Sequence, residues 1–177
     1  MTARAGEPFD TARAVSSVDA ALATPLPASG PTTDEGEPVT GEWVSTRGEG
    51  FLLLPLWESD ALTGVYGSEW DEAEATAEAH LSALMTELDR RWGPHRTVSM
   101  RVPLLRRGTG DPLPEPFHTL SAKDCYGDLS IWGPLPTPAP RWAAVSLNQS
   151  DGDAPVILTA LISTRPLTDP ADPPRSR

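Results

Sequence analysis

Cysteine and lysine are almost missing from this chain of 177 residues, which contains one of each, Cys125 and Lys123. One cysteine excludes an intramolecular disulfide and every zinc or iron–sulfur site that needs several cysteines. Bases are scarce as well, with 14 Lys and Arg against 25 Asp and Glu and a net charge of −11. Because such a surface repels phosphate groups at long range, we expect no nucleic-acid partner.

Long apolar runs are also lacking. The longest, FLLLPLW at residues 51–57, is far shorter than the roughly 20 residues that a membrane-spanning helix needs. The opening MTARAGEPFD carries Glu7 and Asp10 where a signal peptide has its apolar segment. We therefore expect a cytoplasmic protein with no membrane partner.

The chain has 20 Pro and 14 Gly, unevenly placed, and its first forty residues and last dozen are rich in Pro, Thr, Ala, Gly and acids. Such segments bury too little apolar surface to offset the entropy of ordering them. We expect a disordered acidic arm over 1–40, a single domain over 41–165 and a disordered tail over 166–177. The alternative for part of the arm is a short helix over 11–23 that docks on a partner. Its apolar face would consist of Val15, Val18, Ala21 and Leu22.

The clearest predicted element is an amphipathic helix over residues 69–92. Ser68 precedes it as a candidate N-cap, and Gly93 with Pro94 forms a stop signal after it. Acidic residues crowd its first turn, where they interact favourably with the helix dipole. Its apolar residues recur at steps of three and four: Trp70, Ala73, Ala77, Leu81, Leu84, Leu88 and Trp92.

Strands are predicted both before and after this helix in the sequence. Residues 41–57 contain two short strands joined by the turn RGEG. Pro55 places this element at a sheet edge, because proline cannot donate to a strand ladder. Alternating apolar residues predict a strand over 96–102. A long proline-containing loop over 104–118 is expected to follow it.

Three more predicted strands complete the domain, at 128–132, 141–148 and 155–163. An Asp-Gly pair joins the last two as a hairpin, and the last strand, apolar on both faces, is expected at the centre of the sheet. A long helix followed by hairpin-linked strands predicts the α+β class. The expected architecture is a two-layer sandwich, in which this helix packs on a mostly antiparallel sheet of about five or six strands.

Cys125 lies seven residues after His118 and beside Asp124, which makes a candidate nucleophile and base. A cysteine nucleophile needs a lowered pKa and a base within hydrogen-bond reach. Asp124 and Asp128 would instead raise the pKa of the thiol. We therefore prefer a buried structural cysteine and keep a small cysteine-dependent enzyme as the alternative. The three histidines match no metal-binding motif, so we expect neither a metal nor a cofactor.

Two tryptophans and three arginines are the candidate interface residues. Trp132 has the opposite parity to the apolar residues of its strand, and Trp142 lies at the same end of the next strand. A tryptophan in that place either lies under the proline-rich connection or marks an interface. Arg101, Arg106 and Arg107 form the only basic cluster in the predicted domain, where an acidic partner could dock.

These features favour a non-enzymatic protein-binding module, an accessory or adaptor of the immunity or complex-assembly type. The chain combines an acidic surface, a small domain and a long arm with no coherent set of catalytic residues. The expected partner is another protein, docked by the N-terminal arm or by the sheet face that carries the tryptophans. A structural accessory subunit of a larger particle is a further alternative, beside the cysteine-dependent enzyme.

Overall fold

The computed structural model describes residues 6–35 and 44–170, and predictions for the other residues lie outside the described chain. Within these residues there are four helices: α1 (Thr11–Ala23), α2 (Ser68–Trp92), α3 (Arg101–Thr109) and α4 (Phe117–Ala122). The same residues form seven strands: β1 (Thr33–Glu35), β2 (Ser45–Gly48), β3 (Phe51–Glu58), β4 (Arg96–Val98), β5 (Leu129–Leu135), β6 (Arg141–Asn148) and β7 (Ile157–Ser163).

The seven strands of the described chain form one antiparallel sheet in the order β1-β2-β3-β7-β6-β5-β4. The α+β class and the antiparallel sheet are confirmed, although the sheet has more strands than the five or six expected. Strand β7 occupies the central position, and all of its residues are buried. A strand that is apolar on both faces belongs there, because helices and loops cover both sides of it.

One face of the sheet packs against α1 and α2. Along β7, Leu158, Ala160 and Ile162 point to this face, as the period of two in a strand requires. Leu84 and Leu88 of α2 are fully buried against it. The predicted apolar stripe of α2 therefore packs into the larger of the two hydrophobic cores, together with α1 and the sheet.

The ends of α2 are set by glycines. The predicted N-cap, Ser68, is instead the first helical residue, because the capping position belongs to Gly67 with a φ of 57°. At the other end, the N–H of Gly93 donates to the carbonyl of Asp89 at 2.8 Å. The φ of Gly93 is 86°, a left-handed value that glycine adopts without strain.

Helix α1 corrects the expectation of disorder for residues 11–23. The side chain of Asp10 caps it by accepting a hydrogen bond from the backbone N–H of Arg13 at 3.0 Å. Val15 and Val18 are buried against α2 and the sheet. A helix of 13 residues is marginal alone, so this burial stabilises it. The apolar face predicted for a partner is used within the chain.

The opposite face of the sheet has its own core, which the two-layer prediction lacks. Phe117 and Leu120 of α4 pack there with Leu53 of β3 and Leu161 of β7. Leu167, which falls in the predicted tail, is also buried in this cluster. The described residues just after β7 therefore belong to the folded unit.

The predicted strand over 96–102 ends at Val98, and helices α3 and α4 replace much of the predicted loop. The Ser99 hydroxyl accepts a hydrogen bond from the Arg101 N–H at 3.2 Å, a local bond that competes with strand pairing. Pro103 lies in the first helical turn, where its missing N–H removes no helical hydrogen bond. Gly110 then ends α3 in the left-handed conformation.

Pro55 lies on an internal strand, so its predicted place at a sheet edge is wrong. Strand β3 pairs with β2 on one side and with β7 on the other, but the pairing with β2 ends at Leu53. Beyond that point β7 is the only strand of the described residues that pairs with β3, and Pro55 lies opposite Thr159. The N–H that Pro55 lacks is therefore not needed for a hydrogen bond to β2. A bulge lies between Pro55 and Trp57 in the pairing with β7.

Candidate protein-binding surface

The structure gives Cys125 and His118 separate partners. The thiol is 1% exposed, and its Sγ lies 3.6 Å from the carbonyl oxygen of Lys123. Burial raises the pKa of Cys125 to about 12, so the nucleophilic thiolate is scarce at neutral pH. His118 lies largely in solvent, with its Nδ1 3.4 Å from Oε1 of Glu115. This geometry is that of a packed, structural cysteine.

Trp132 lies beneath the C-terminal end of α2 and is 2% exposed. Its Nε1 donates to Asp89 Oδ1 at 2.9 Å and to the Gly93 carbonyl at 3.1 Å. Its ring meets Trp92 edge-on, with centroids 5.9 Å apart. A ring enclosed in this way cannot contact a partner, so the predicted interface role of Trp132 is corrected. The cover comes from α2.

Trp142 is half-buried on the other face of the sheet, where it packs against the smaller core. Trp132 lies opposite Ala143 in the pairing of β5 with β6, and Ala143 belongs to the larger core. Adjacent residues of a strand point to opposite faces. The two tryptophans therefore do not form the shared surface that the sequence predicts.

Asp89, which the sequence analysis does not single out, joins the C-terminal end of α2 to His95 and Trp132 by hydrogen bonds. Its Oδ1 lies 3.0 Å from the backbone nitrogen and 3.0 Å from Nδ1 of His95, in addition to the Trp132 contact. Burial alone would raise the pKa of Asp89, but hydrogen bonds from His95 and Trp132 outweigh it and lower that pKa. The carboxylate is therefore held in its charged form.

The three predicted arginines lie on one helix, α3, but they do not share one face. Nη1 of Arg107 donates to the Ser121 carbonyl at 2.9 Å and pairs with Asp124. Hydrogen bonds to Tyr126 and then to Asp124 raise the pKa of the guanidinium. Arg106 is half-buried. Arg107 therefore attaches α3 to the segment around α4, whereas Arg106 donates to the Pro112 carbonyl just beyond the end of α3.

The outer face of α3 carries Arg101, Leu104 and Leu105, which we name the α3 patch. Residues three and four apart on a helix share a face. Leu104 is 49% exposed and Leu105 is 58% exposed. Arg101 is exposed, and within residues 6–35 and 44–170 its side chain has no ion-pair partner. A basic and apolar surface thus projects from an otherwise acidic chain.

The two leucines escape sequence reasoning because residues 104–118 are predicted to be a loop. Pro103 in a first turn and Gly110 at a helix end are the signals that could have indicated a helix. Even then, two adjacent leucines point in different directions around a helix, and the pattern does not tell which direction is inward. The exposure of Leu104 and Leu105 therefore depends on how α3 packs against α4.

Two further features of the described residues bear on function: the grouping of metal-binding side chains and the hydropathy of the helices. In that part, no group of three or more His, Cys, Asp or Glu side chains is arranged to hold a metal ion. The histidines lie apart: His80 among aromatic rings, His95 at the end of α2 and His118 on α4. No helix of those residues has the length and hydropathy needed to cross a bilayer.

The fold thus defines an α+β protein whose antiparallel sheet is covered on both faces. Comparisons of the chain with protein-family models, with curated proteins and with solved structures found no match. The function must therefore be inferred from the residues of this chain.

Proposed function

We propose that the protein is a non-enzymatic protein-binding accessory module and that its partner docks on the α3 patch. The adjacent leucines, each about half exposed, carry this proposal. Single exposed leucines are normal on protein surfaces, but an adjacent apolar pair next to an arginine has the composition of an interface. Among large hydrophobic residues of the described chain, Tyr66 alone is more exposed than this pair.

The positive charge of the α3 patch indicates the chemistry of the partner's surface. No carboxylate occurs between residues 101 and 110, and among the described residues the Arg101 guanidinium has no ion-pair partner. The matching surface is an apolar pocket with a carboxylate at its rim, since arginine binds carboxylates through paired hydrogen bonds. Two copies of a chain with a charge of −11 repel each other at long range. The partner is therefore another protein.

The size of the effect follows from the leucine areas. Burial of a whole leucine side chain is worth about 1.5–3 kcal/mol, so the exposed halves of Leu104 and Leu105 together are worth about 2 kcal/mol. Their removal should weaken binding about 30-fold. Reversal of the Arg101 charge should act on association as well, because local charges steer the encounter of two proteins.

The other candidate functions find less support in the geometry. The N-terminal helix uses its apolar face against α2 and the sheet, so docking through that helix requires its release. The buried thiol of Cys125 disfavours the cysteine-dependent enzyme. A structural accessory subunit could use the same α3 patch, and the mass of the purified complex would distinguish it from an adaptor.

The proposal is tested by quantitative capture of partners from lysate of the producing cells, followed by affinity measurement on the purified pair. We expect a stoichiometric partner that the double variant Leu104→Ser/Leu105→Ser loses and that Arg101→Glu binds more weakly. Tyr66→Ser is the matched control, because it removes an exposed apolar side chain elsewhere, and it should bind as the native protein does.

Circular dichroism and thermal unfolding verify that the α3 variants keep their fold, which is expected because both leucines lie outside the two cores. Undiminished partner binding in the folded double variant would contradict the proposal. Light scattering that shows a stable homodimer lost in the same variant would also contradict it, since the occupant would then be a second copy.

A further inference from the structure

A cavity of about 330 Å³ opens at the C-terminal end of α2 and is separate from the α3 patch. Its walls come from the end of α2, from β4 and from the proline-rich end of β5. Its volume falls in the range of pockets that hold small organic ligands. The residues that matter for its chemistry are Arg91, Trp92, Arg96, Trp132, Pro134 and Pro136.

The lining of this cavity is positively charged. Arg91 and Arg96 both contribute to it, and the described residues that line it include no Asp or Glu. Arg91 pairs with Asp19 at 2.9 Å, and Arg96 donates one hydrogen bond to the Leu167 carbonyl. A guanidinium has five N–H donors, so both side chains retain donors for a ligand. On a chain with a charge of −11, two arginines without an acid in the same wall favour an anion.

The remaining walls are apolar and rigid. The half-buried ring of Trp92 is held edge-on against Trp132, whose Nε1 is fixed by Asp89. Pro134 and Pro136 have restricted backbone angles and no N–H donor. An apolar body can therefore contact preformed walls without ordering them first, which lowers the entropic cost of binding.

A neighbouring cavity shows which side of the first cavity favours a negatively charged group. It has a volume of about 290 Å³, shares Trp92, Leu135 and Pro136 with the first cavity, and is lined by Asp19. The Arg91–Asp19 ion pair therefore lies where the two cavities meet. An anionic group is favoured on the arginine side and disfavoured on the Asp19 side.

From these features we propose that the first cavity binds a small organic carboxylate with an aromatic or aliphatic body. The carboxylate accepts hydrogen bonds from Arg91 and Arg96, and the body lies against Trp92 and the two prolines. A single carboxylate suits this site better than a multiply charged phosphate, because the walls other than Arg91 and Arg96 are apolar and the chain as a whole is strongly acidic. The site is independent of partner docking on α3.

The test is a titration of the full chain with 2-naphthoate, monitored by calorimetry and by the indole N–H signal of Trp92 in NMR spectra. A ligand of about a dozen heavy atoms is expected to bind in the millimolar range or tighter. The uncharged isostere, 2-naphthamide, should bind at least about tenfold more weakly, and Arg91→Met or Arg96→Met should cause a similar loss.

Arg90→Met is the matched control, because Arg90 is the neighbour of Arg91 on α2 but pairs with Glu87 outside the cavity lining. It should leave the affinity for 2-naphthoate unchanged. Equal affinity for the amide and the carboxylate would overturn the proposal. So would the absence of saturable binding, or folded Arg91 and Arg96 variants that bind as Arg90→Met does.

Discussion

The imidazole of His80 on α2 stacks on the ring of Phe9, with centroids 4.5 Å apart and an angle of 26° between the ring planes. Trp57 of β3 also meets His80 edge-on, with ring centroids 4.7 Å apart. The Nε1 of Trp57 also donates to the Glu7 carbonyl at 3.0 Å. One imidazole thus connects the segment before α1 to both α2 and the sheet.

This contact predicts a stability that depends on pH near neutrality. Burial lowers the pKa of His80 below its ordinary value of about 6.5, so the folded state favours the neutral ring. The contribution to stability is present above the ordinary pKa and is lost as the pH falls through it towards the lowered value. The free energy of unfolding in urea should therefore decrease between about pH 7.5 and 5.5.

Two variants identify the group responsible for that decrease. His80→Phe keeps an aromatic ring in the stack and removes the titrating group, so most of the pH dependence should disappear. His118→Gln is the control, because His118 is largely exposed on α4, and it should retain the dependence. A pH dependence that persists in full in His80→Phe would show that another group causes it.

The central elements of the fold were predictable from residue patterns. The period of 3.6 over residues 69–92 identifies α2, and two apolar segments joined by an Asp-Gly turn identify β6 and β7. The central place of β7 follows from its apolar residues on both faces. Helix α1 was only partly predictable. Its apolar face is visible in the sequence, but a short helix forms only where another element buries that face, and no local pattern says which element that is.

Trp132 shows why the site was harder to predict than the fold. Its parity was interpreted correctly, because it shares a face with Ser130, whose hydroxyl lies 3.5 Å from the Met85 sulfur on α2. The opposite parity does not make this face an exposed one, because Trp132 is buried on it and Leu129 and Ile131 are buried on the other side. Recognising two buried faces requires knowing that α4 covers the second, and residues 104–118 carry too many prolines to predict a helix there.

Removal of the Asp89 carboxylate should destabilise the protein, because its oxygen accepts bonds from both Trp132 and His95. Asp89→Ala leaves these donors without this acceptor and should lower the free energy of unfolding by about 1–3 kcal/mol. Asp89→Asn keeps one acceptor and should lose less. Glu87→Ala, which breaks only an exposed ion pair with Arg90 on the same helix, should have little effect. Equal midpoints of urea unfolding for Asp89→Ala and Glu87→Ala would contradict this role.

Cys125 should be inert towards thiol reagents while the protein is folded. Its pKa, raised by burial to about 12, leaves almost no thiolate up to about pH 9, where an ordinary cysteine is largely ionised. Ellman's reagent should therefore react with the native chain only at the rate of unfolding and quickly in urea. Rapid labelling of the native protein at about pH 7 would reveal an activated thiol and revive the cysteine-dependent enzyme.

Gly127 should be the glycine whose replacement is most costly to this fold. A Cβ built there would lie 2.0 Å from the Leu147 carbonyl oxygen, far inside contact distance. The Gly127 N–H also donates to Oδ1 of the buried Asn148 at 2.8 Å, and any shift of the loop would break that bond. Gly127→Ala should therefore lower the free energy of unfolding by about 1–3 kcal/mol or more.

Gly152→Ala is the matched control for this substitution. Gly152 lies in the turn between β6 and β7, and a Cβ there meets nothing within 4 Å. Its unfolding midpoint in urea should stay close to that of the native chain. If Gly127→Ala and Gly152→Ala unfold at the same midpoint, then the loop before β5 can move away from β6, and the close packing of Gly127 on Leu147 does not contribute to stability.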